Sequence, residues 1–265
     1  TYAVPGVYDA VSAVVAERAG FEALYLGSFS TAASMLGLPD TGNVTMSEMA
    51  NHTKNIAKAT NIPLIVDVEA GFYPASNICR TVEEFEYAGA SAIHIEDHVI
   101  GKHTALKPVI ADVDVVCQRI RAAVAARTDP NFLIFGRTDV CWATGDMDDA
   151  IYRANKYLEA GADAAFMTWF LPGDEGKRLR AKVNGPVVTS PATASFADEV
   201  AAGTNLVLYW PMMLYAAFTA CKEAAELFKE TQHAGRLGKY TFDNHAFDEY
   251  FPYTSYEQRA LEYMK

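Results

Sequence analysis

Short apolar runs alternate with longer amphipathic stretches along most of the chain. The run Ile62-Pro63-Leu64-Ile65-Val66 is brief, continuous and rich in β-branched residues, which suits a strand buried on both faces. Runs of the same character predict strands at Ala3–Tyr8, Ala23–Gly27, Ile62–Asp67, Ala92–Glu96, Phe132–Gly136, Ala164–Thr168, Pro186–Ser190 and Leu206–Tyr209. Helical periodicity lies between them, over Asp9–Ala19, Ser47–Thr60, Val82–Ala88, Val113–Ala126, Met147–Ala160, Asp174–Val183, Phe196–Ala202 and Met212–Lys229. A faint internal repeat supports the alternation. Glu17-Arg18-Ala19-Gly20-Phe21-Glu22-Ala23 is echoed by Glu86-Tyr87-Ala88-Gly89-Ala90-Ser91-Ala92 and by Glu159-Ala160-Gly161-Ala162-Asp163-Ala164, with a looser copy at Ala201-Ala202-Gly203-Thr204-Asn205-Leu206. Each copy closes a helix on a glycine, where left-handed backbone is wanted, and runs straight into a strand.

Eight such units in about 230 residues match the size of a (β/α)8 TIM barrel of the α/β class. A doubly wound open sheet is the competitor, but no GxGxxG follows any of these strands. No linker or composition shift divides the chain, so residues 1–265 read as one barrel domain. The stretch 232–265 differs, crowded with Tyr240, Phe242, Phe247, Tyr250, Phe251, Tyr253, Tyr256 and Tyr263. Such an aromatic tail packs on a neighbouring subunit or on the barrel, and an oligomer is expected.

Chemistry in a barrel sits at the C-terminal ends of the strands. Asp67 and Glu69 end the third strand, and residues two apart on a strand point the same way, so both acids are expected on one side. Two such acids repel unless a cation lies between them, and Mg2+ takes carboxylate oxygens while keeping waters for a substrate to displace. Glu96 ends the fourth strand as a third acid. Arg137, after the fifth, is a planar fork suited to a carboxylate. Gly27-Ser28-Phe29 forms a small-residue turn whose backbone N–H groups suit an oxyanion. Each of these alone is an ordinary strand-end polar residue, and their coincidence on one rim is the signal. His94 reads as a satisfied core residue, while His98 sits just past the acid-bearing strand end.

Composition narrows the partners. The chain has 265 residues, 51% of them hydrophobic, and a formal net charge of −11. That charge argues against nucleic acid or an anionic membrane, and a small anionic substrate would need a metal to supply positive charge. No apolar run reaches a membrane span, and no signal peptide is visible before the pattern begins at Thr1. The four cysteines, Cys79, Cys117, Cys141 and Cys221, make no CxxC and read as reduced, mostly buried thiols of a cytoplasmic protein.

Several motifs occur in order along almost the whole chain: Val4-Pro5-Gly6-Val7-Tyr8-Asp9-Ala10, Tyr25-Leu26-Gly27-Ser28 leading to Leu36-Gly37-Leu38-Pro39-Asp40, Asp67-x-Glu69-x-Gly71, Ile95-Glu96-Asp97, Gly136-Arg137-Thr138-Asp139 and Tyr209-Trp210-Pro211. With these the chain resembles the isocitrate lyase/phosphoenolpyruvate mutase superfamily, nearest to its methylisocitrate and dimethylmalate lyases. The resemblance implies a (β/α)8 barrel whose last helix swaps between subunits, forming a dimer of helix-swapped dimers. It also implies Mg2+, with Mn2+ as the alternative ion, and a 2-hydroxy or 2-oxo acid substrate. Residue by residue, it places Asp67, Glu69 and Glu96 at the metal or its waters and Asp40 near metal and substrate. Tyr25, Gly27, Ser28, Phe29 and Arg137 fall at the substrate.

The departures bear on the reaction. Relatives usually carry Gly where Phe29 stands. Lyases of the superfamily carry a Lys-(Lys/Arg)-Cys-Gly-His loop after the fourth strand, and here it reads Gly101-Lys102-His103-Thr104-Ala105-Leu106. Lys102 is kept, Thr104 replaces the proton-donating Cys, and the final His is lost. A Thr hydroxyl is a poor acid near neutral pH and imidazole titrates there, so His103 is the candidate acid/base, the bland alternative being a solvated loop histidine. Thr168 stands where lyases place Glu, and Ser190 where they often place Asn, which alters the pocket for a distal carboxylate. The expected function is a Mg2+-dependent carbon–carbon lyase acting on a malate-type 2-hydroxy acid. The alternatives are hydrolysis or decarboxylation of an oxaloacetate-type 2-oxo acid, and a 2-oxo-acid-binding protein without turnover.

Overall fold

The computed structural model describes residues 1–72, 77–99, 108–168, 174–191 and 195–264. Contacts divide the chain into two compact units, Thr1–Met213 and Leu214–Lys265. The first is the barrel. Its strands are β1 (Tyr2–Val7), β2 (Leu24–Leu26), β3 (Leu64–Asp67), β4 (Ala92–Glu96), β5 (Leu133–Thr138), β6 (Ala164–Thr168), β7 (Val187–Ser190) and β8 (Leu206–Tyr209). All pairs are parallel, and β8 returns to β1 to close the sheet. The eight predicted strands are therefore all present, three of them with the predicted ends.

The helices outside them are α1 (Ala10–Arg18), α2 (Ser28–Thr31), α3 (Met46–Ala59), α4 (Ile78–Ala88), α5 (Val113–Ala126), α6 (Val140–Thr144), α7 (Met147–Glu159), α8 (Asp174–Lys182) and α9 (Phe196–Ala202). Polar residues at the entries fix where several begin. Asp9 with Ser12, Thr45 with Glu48, and Ser195 with Asp198 each form a reciprocal capping box. The repeated glycines do what the repeat implies: Gly20, Gly89, Gly161 and Gly203 have φ of 90°, 88°, 107° and 81°, a region costly for any residue with a Cβ. Two short helices escape the periodicity. One is α2, which continues as a wider i→i+5 turn over Ala32–Leu36, and the other is α6.

Alternation along the strands sorts the core into two layers. Val4, Tyr25, Ile65, Ala92, Phe135 and Phe166 fill the barrel lumen. The intervening residues, among them Leu24, Leu26, Val66, Ile93 and Ile95, pack outward against Met49, Ile56 and Phe85 of the helices. Continuing the inward phase to the C-terminal ends brings Asp67, Glu96, Arg137, Thr168 and Ser190 to one rim.

The second unit holds most of α10 (Met212–Thr231), a 3-10 turn at Ala234–Tyr240, α11 (Asn244–Asp248) and α12 (Tyr253–Tyr263). It takes in the 232–265 tail together with most of the preceding helix. No residue of α10, α11 or α12 is buried within this chain. Glu223 accepts from Lys239 and Tyr240, tying the turn back to α10. Among the described residues no helix is long and apolar enough to cross a membrane. The cysteines correct one expectation: Cys117 is buried and Cys141 half-buried, but Cys79 and Cys221 are exposed. Cys79 lies at the start of α4, off its packed face, and Cys221 lies on α10, where nothing is buried.

Candidate active site

The rim is built by register. Glu96 on β4 stands opposite Arg137 on β5, and Asp67 on β3 stands opposite His94 on β4. Asp67 is 3% exposed and Glu96 1%, so neither carboxylate relies on bulk water. Ser28 Oγ donates to Asp67 Oδ2 at 3.1 Å, joining the first turn of α2 to the end of β3. Arg137 Nη1 lies 3.6 Å from Asp67 Oδ2 and 3.5 Å from Glu96 Oε2, longer than a tight charge-assisted bond.

The other edge of the Arg137 fork is taken by Asp139. Nε donates to Oδ1 at 3.0 Å and Nη2 to Oδ2 at 2.9 Å. His98 Nε2 reaches Asp139 Oδ2 at 2.8 Å, and the Thr168 hydroxyl donates to Oδ1. Asp139 is fully buried. Burial alone would raise its carboxyl, but the Arg137 charge and the bonds from His98 and Arg137 hold it well below the usual carboxylate range. Burial works against the Arg137 charge too, and Asp139, Glu96 and Asp67 overcome it, so the guanidinium stays protonated. For His98, burial opposes the imidazolium, while the Asp139 bond and the Glu96 and Asp139 charges outweigh it and raise its pKa. Behind this layer Asp97 accepts the Asp139 backbone N–H at 3.0 Å and the Tyr157 hydroxyl at 3.0 Å. Burial and the Asp139 charge push the Asp97 carboxyl up.

The predicted residues fare differently. Asp67, Glu96, Arg137 and Ser28 come together, and Thr168 joins them through Asp139. Ser190 is buried at the end of β7, and Asp40 is buried in the loop between the Ala32–Leu36 turn and α3. Gly27 caps α2 in extended backbone without a side-chain bond. Phe29 on α2 meets Trp210 edge to face at 4.8 Å between ring centres. Tyr25 sits lower, in the lumen, its hydroxyl 3.1 Å from His94 Nε2 and the rings stacked. His94 is thus the core residue the sequence suggests.

Glu69 corrects the argument from strand period. β3 stops at Asp67, and Glu69 has φ of 54°, so the two-residue alternation no longer applies. Its backbone N–H donates to Asp67 Oδ1 at 2.8 Å, and its carbonyl accepts from Glu96 N–H at 3.0 Å. Its place is beside a cavity of about 420 Å³ whose walls include Glu96, His98, Val44, Met46 and Phe72. Lys102, His103 and Thr104 lie outside the described residues. A larger cavity, about 680 Å³, is lined by residues such as Pro63, Tyr87, Ala90 and Phe132, flanking the N-terminal ends of β3, β4 and β5, away from these groups.

The strand-end reading assigns no role to Asp139, Asp97 or Tyr157, and places His98 only just past the acid-bearing strand end. The sequence ends the fifth strand at Gly136. The observed β5 runs to Thr138, so alternation sets Arg137 on the lumen side with Phe135, and Asp139 follows as the residue that leads into α6.

The donors suit a divalent cation. Asp67, Glu96 and Asp139 place three buried carboxylates around one guanidinium, with His98 against Asp139 and His94 Nδ1 3.8 Å from Asp67, and Asp139 takes up the guanidinium's Nε–Nη2 edge. Among the described residues no group of three or more His, Cys, Asp or Glu side chains is placed to hold a metal ion. A one- or two-carboxylate site completed by water and substrate is the form Mg2+ favours.

Fold and rim together define a (β/α)8 barrel enzyme class with an acid-rich C-terminal mouth. The chain belongs to the phosphoenolpyruvate phosphomutase family, whose model matches residues 1–229. It is 37% identical over 230 residues to a 2-methylisocitrate lyase of Shewanella oneidensis, covering 84% of this chain and 77% of that protein. It is 35% identical over 225 residues to a 2,3-dimethylmalate lyase of Eubacterium barkeri, covering 82% and 77%. A phosphoenolpyruvate phosphomutase from Streptomyces platensis subsp. rosaceus superposes with a TM-score of 0.93 at 27% identity, over 100% of this chain and 95% of that one. A phosphonopyruvate hydrolase in complex with oxalate and Mg++ superposes at 0.89 and 25% identity, over 100% and 94%.

Proposed function

We propose that the chain is a Mg2+-dependent carbon–carbon lyase that cleaves a malate-type 2-hydroxy acid into a 2-oxo acid and a carboxylic acid. The observation that carries the reading is the rim itself: buried Asp67 and Glu96 stand 3.6 and 3.5 Å from Arg137 Nη1 at the C-terminal end of the barrel. The lyase names of the similar proteins give the reaction class.

Asp67 and Glu96 are the residues that would hold the ion, with Glu69 and Asp40 near its waters. Bound there, Mg2+ or Mn2+ supplies Lewis acidity toward the substrate's 2-oxygen and 1-carboxylate. The chain's own groups do the rest. The Gly27-Ser28-Phe29 turn orients the carboxylate, and Arg137 Nη1 stabilises the charge that develops as the C2–C3 bond breaks. A base removes the 2-hydroxyl proton, the electron pair of the C2–C3 bond passes to the departing enolate, and that enolate takes a proton. Lys102, His103 and Thr104 are the proposed groups for these proton movements, on the sequence alone. Thr168 and Ser190 would meet the substrate's far end.

A homo-oligomer formed through α10 and the tail fits the exposure of their apolar residues, with Phe218 67% and Leu261 73% exposed in the single chain. A dimer of helix-swapped dimers is the proposed form, in the cytoplasm.

Release of 2-oxo acid from 2-methylisocitrate, 2,3-dimethylmalate and oxaloacetate, with Mg2+ and then with chelator, tests the reading. Metal-dependent cleavage of a substituted malate is the expected result. Turnover of oxaloacetate alone moves the protein to a hydrolase or decarboxylase, and oxo-acid binding with no turnover makes it a binding protein. Asp67→Ala should abolish oxo-acid binding, and unchanged binding removes Asp67 from the site.

A further inference from the structure

We propose that His98 is a positioning residue that sets Arg137 through Asp139, a role that rests on reading Arg137 as the cation facing the substrate. The argument begins with the unequal pull on the guanidinium. Three carboxylates surround it, and only Asp139 holds it at bonding distance, 2.9 and 3.0 Å, while Asp67 and Glu96 stand at 3.6 and 3.5 Å. An arginine head on a long side chain would shorten the latter pair if it swung by less than an ångström. It would then neutralise the two acids that a cation and substrate need.

What prevents the swing is the fixed orientation of the Asp139 carboxylate. Its oxygens accept four donors: Arg137 Nε and Thr168 at Oδ1, Arg137 Nη2 and His98 Nε2 at Oδ2. That matches the acceptor capacity of an ionised carboxylate. Of the two outside donors, Thr168 stands in β6 opposite Ser190, and His98 is braced from outside the barrel sheet. Its backbone pairs antiparallel with Ile110, and its carbonyl accepts from Arg119 Nη1 at 3.4 Å. The flanking bonds Val99 N–H to Val109 O, at 2.8 Å, and Ala111 N–H to Asp97 O, at 2.7 Å, clamp both sides. The ring lies against Trp142 with centres 5.6 Å apart. The Nε2–H exists on both the neutral Nε2 tautomer and the charged ring, so the brace does not depend on His98 changing charge.

A rival role is available on the same residue. His98 Nδ1 is buried with no hydrogen-bond partner among the described residues, and His98 borders the 420 Å³ cavity, so the ring could instead meet the ligand directly. Two substitutions separate these roles. In His98→Gln the side-chain amide reaches where Nε2 sits and can donate to Asp139. In His98→Asn the shorter amide sits where Nδ1 does and cannot.

The experiment reads wild type, His98→Ala, His98→Gln and His98→Asn in two ways. One is calorimetric binding of oxalate in the presence of Mg2+. The other is exchange of the Arg137 Nε–H with water, followed by 15N-resolved NMR and assigned with Arg137→Lys. Loss of the brace should weaken oxalate about tenfold in the Ala and Asn variants, the low end for removing an outer partner of a charged ligand-binding group. The Nε–H should exchange faster in both, and His98→Gln should restore both readouts. If His98→Gln binds oxalate as poorly as His98→Ala while the Nε–H stays protected, the brace is overturned in favour of direct contact. An unchanged Nε–H in His98→Ala overturns it whatever the binding. If Arg137→Lys binds oxalate like wild type, the substrate-facing reading of Arg137 falls, and the Nε–H exchange then decides the brace by itself.

Discussion

Asp139→Asn swaps one carboxylate oxygen for an amide in a pocket where every neighbour is a donor. Placed at Oδ1, the new NH2 faces Arg137 Nε–H and the Thr168 hydroxyl; placed at Oδ2, it faces Arg137 Nη2–H and His98 Nε2. Thr168 can rotate and His98 can change tautomer to accept, but arginine has no acceptor in either orientation. At least one guanidinium N–H therefore points at another N–H, and one charged bond is lost. A hydrogen bond to a charged group contributes about 1.5–3 kcal/mol. The 3–5 kcal/mol of a fully stranded buried charge is not reached, because Asp67 and Glu96 remain near Nη1. A loss of about 2–3 kcal/mol follows, and at about 2–4 °C per kcal/mol for a domain of this size the Tm should fall by about 8 °C. Thermal unfolding followed by circular dichroism at pH 7 measures it. The sign of the pH dependence is fixed by the depressed carboxyl of Asp139. Its stabilisation is complete above the unfolded value of about 3.9 and is lost as pH falls toward the folded one, so the gap between wild type and variant should hold from pH 7 to 5 and narrow below about pH 4. A Tm within 2 °C of wild type at pH 7 would refute the claim that Asp139 organises the rim.

Gly136→Ala would set a Cβ 2.6 Å from Tyr157 Cβ and 3.0 Å from Ile120 Cδ1. Such overpacking costs about 1–3 kcal/mol and displaces the ring that holds Asp97, so urea midpoint and oxo-acid binding should fall together; an unchanged midpoint denies the contact. Burial, with added repulsion from nearby acids, pushes the Cys141 thiol up to about 11. Its alkylation by iodoacetamide should therefore still climb about tenfold per pH unit at pH 9; peptide mapping that finds a plateau for Cys141 by pH 9 contradicts this. Phe29→Gly removes the edge-to-face contact with Trp210 and adds a glycine to a short helix, for a loss of about 1–2 kcal/mol. The widened wall should raise kcat/KM for malates with bulkier 3-substituents relative to smaller ones, and a flat profile places Phe29 away from the substrate.

The barrel was readable because each strand is short, apolar and closed off by a polar or glycine signal that periodicity can see. Ala92–Glu96, Ala164–Thr168 and Leu206–Tyr209 have their predicted ends, each flanked by the glycine turn of the repeat. The other five differ at one end or both, and at β3 and β5 the misread phase reaches the site. At β3 the phase was extended too far: Glu69 looks like the next inward residue after Asp67, but its left-handed backbone has already left the sheet. At β5 the phase was stopped too soon, at Gly136, because glycine reads as a turn. Here it is a close approach to Tyr157, and the strand continues beyond it.

That second error explains why the centre of the site was less legible than its edges. Asp67, Glu96 and Arg137 are polar residues at the ends of apolar runs, and the contrast marks them. Asp139 and His98 follow such residues in segments where charge is common, so nothing in composition separates a rim organiser from a solvated acid. What distinguishes Asp139 is that donors from β5, β6 and the segment after β4 converge on it. Convergence of groups 29 and 41 residues away in sequence is a property of barrel closure. The sequence carries it only through the register that sets Glu96 beside Arg137 and Thr138 beside Met167. Once that register is in hand, the guanidinium's position follows from counting carboxylates. Three acids compete for it, and Asp139, the one fixed by donors from three segments, holds it at bonding distance.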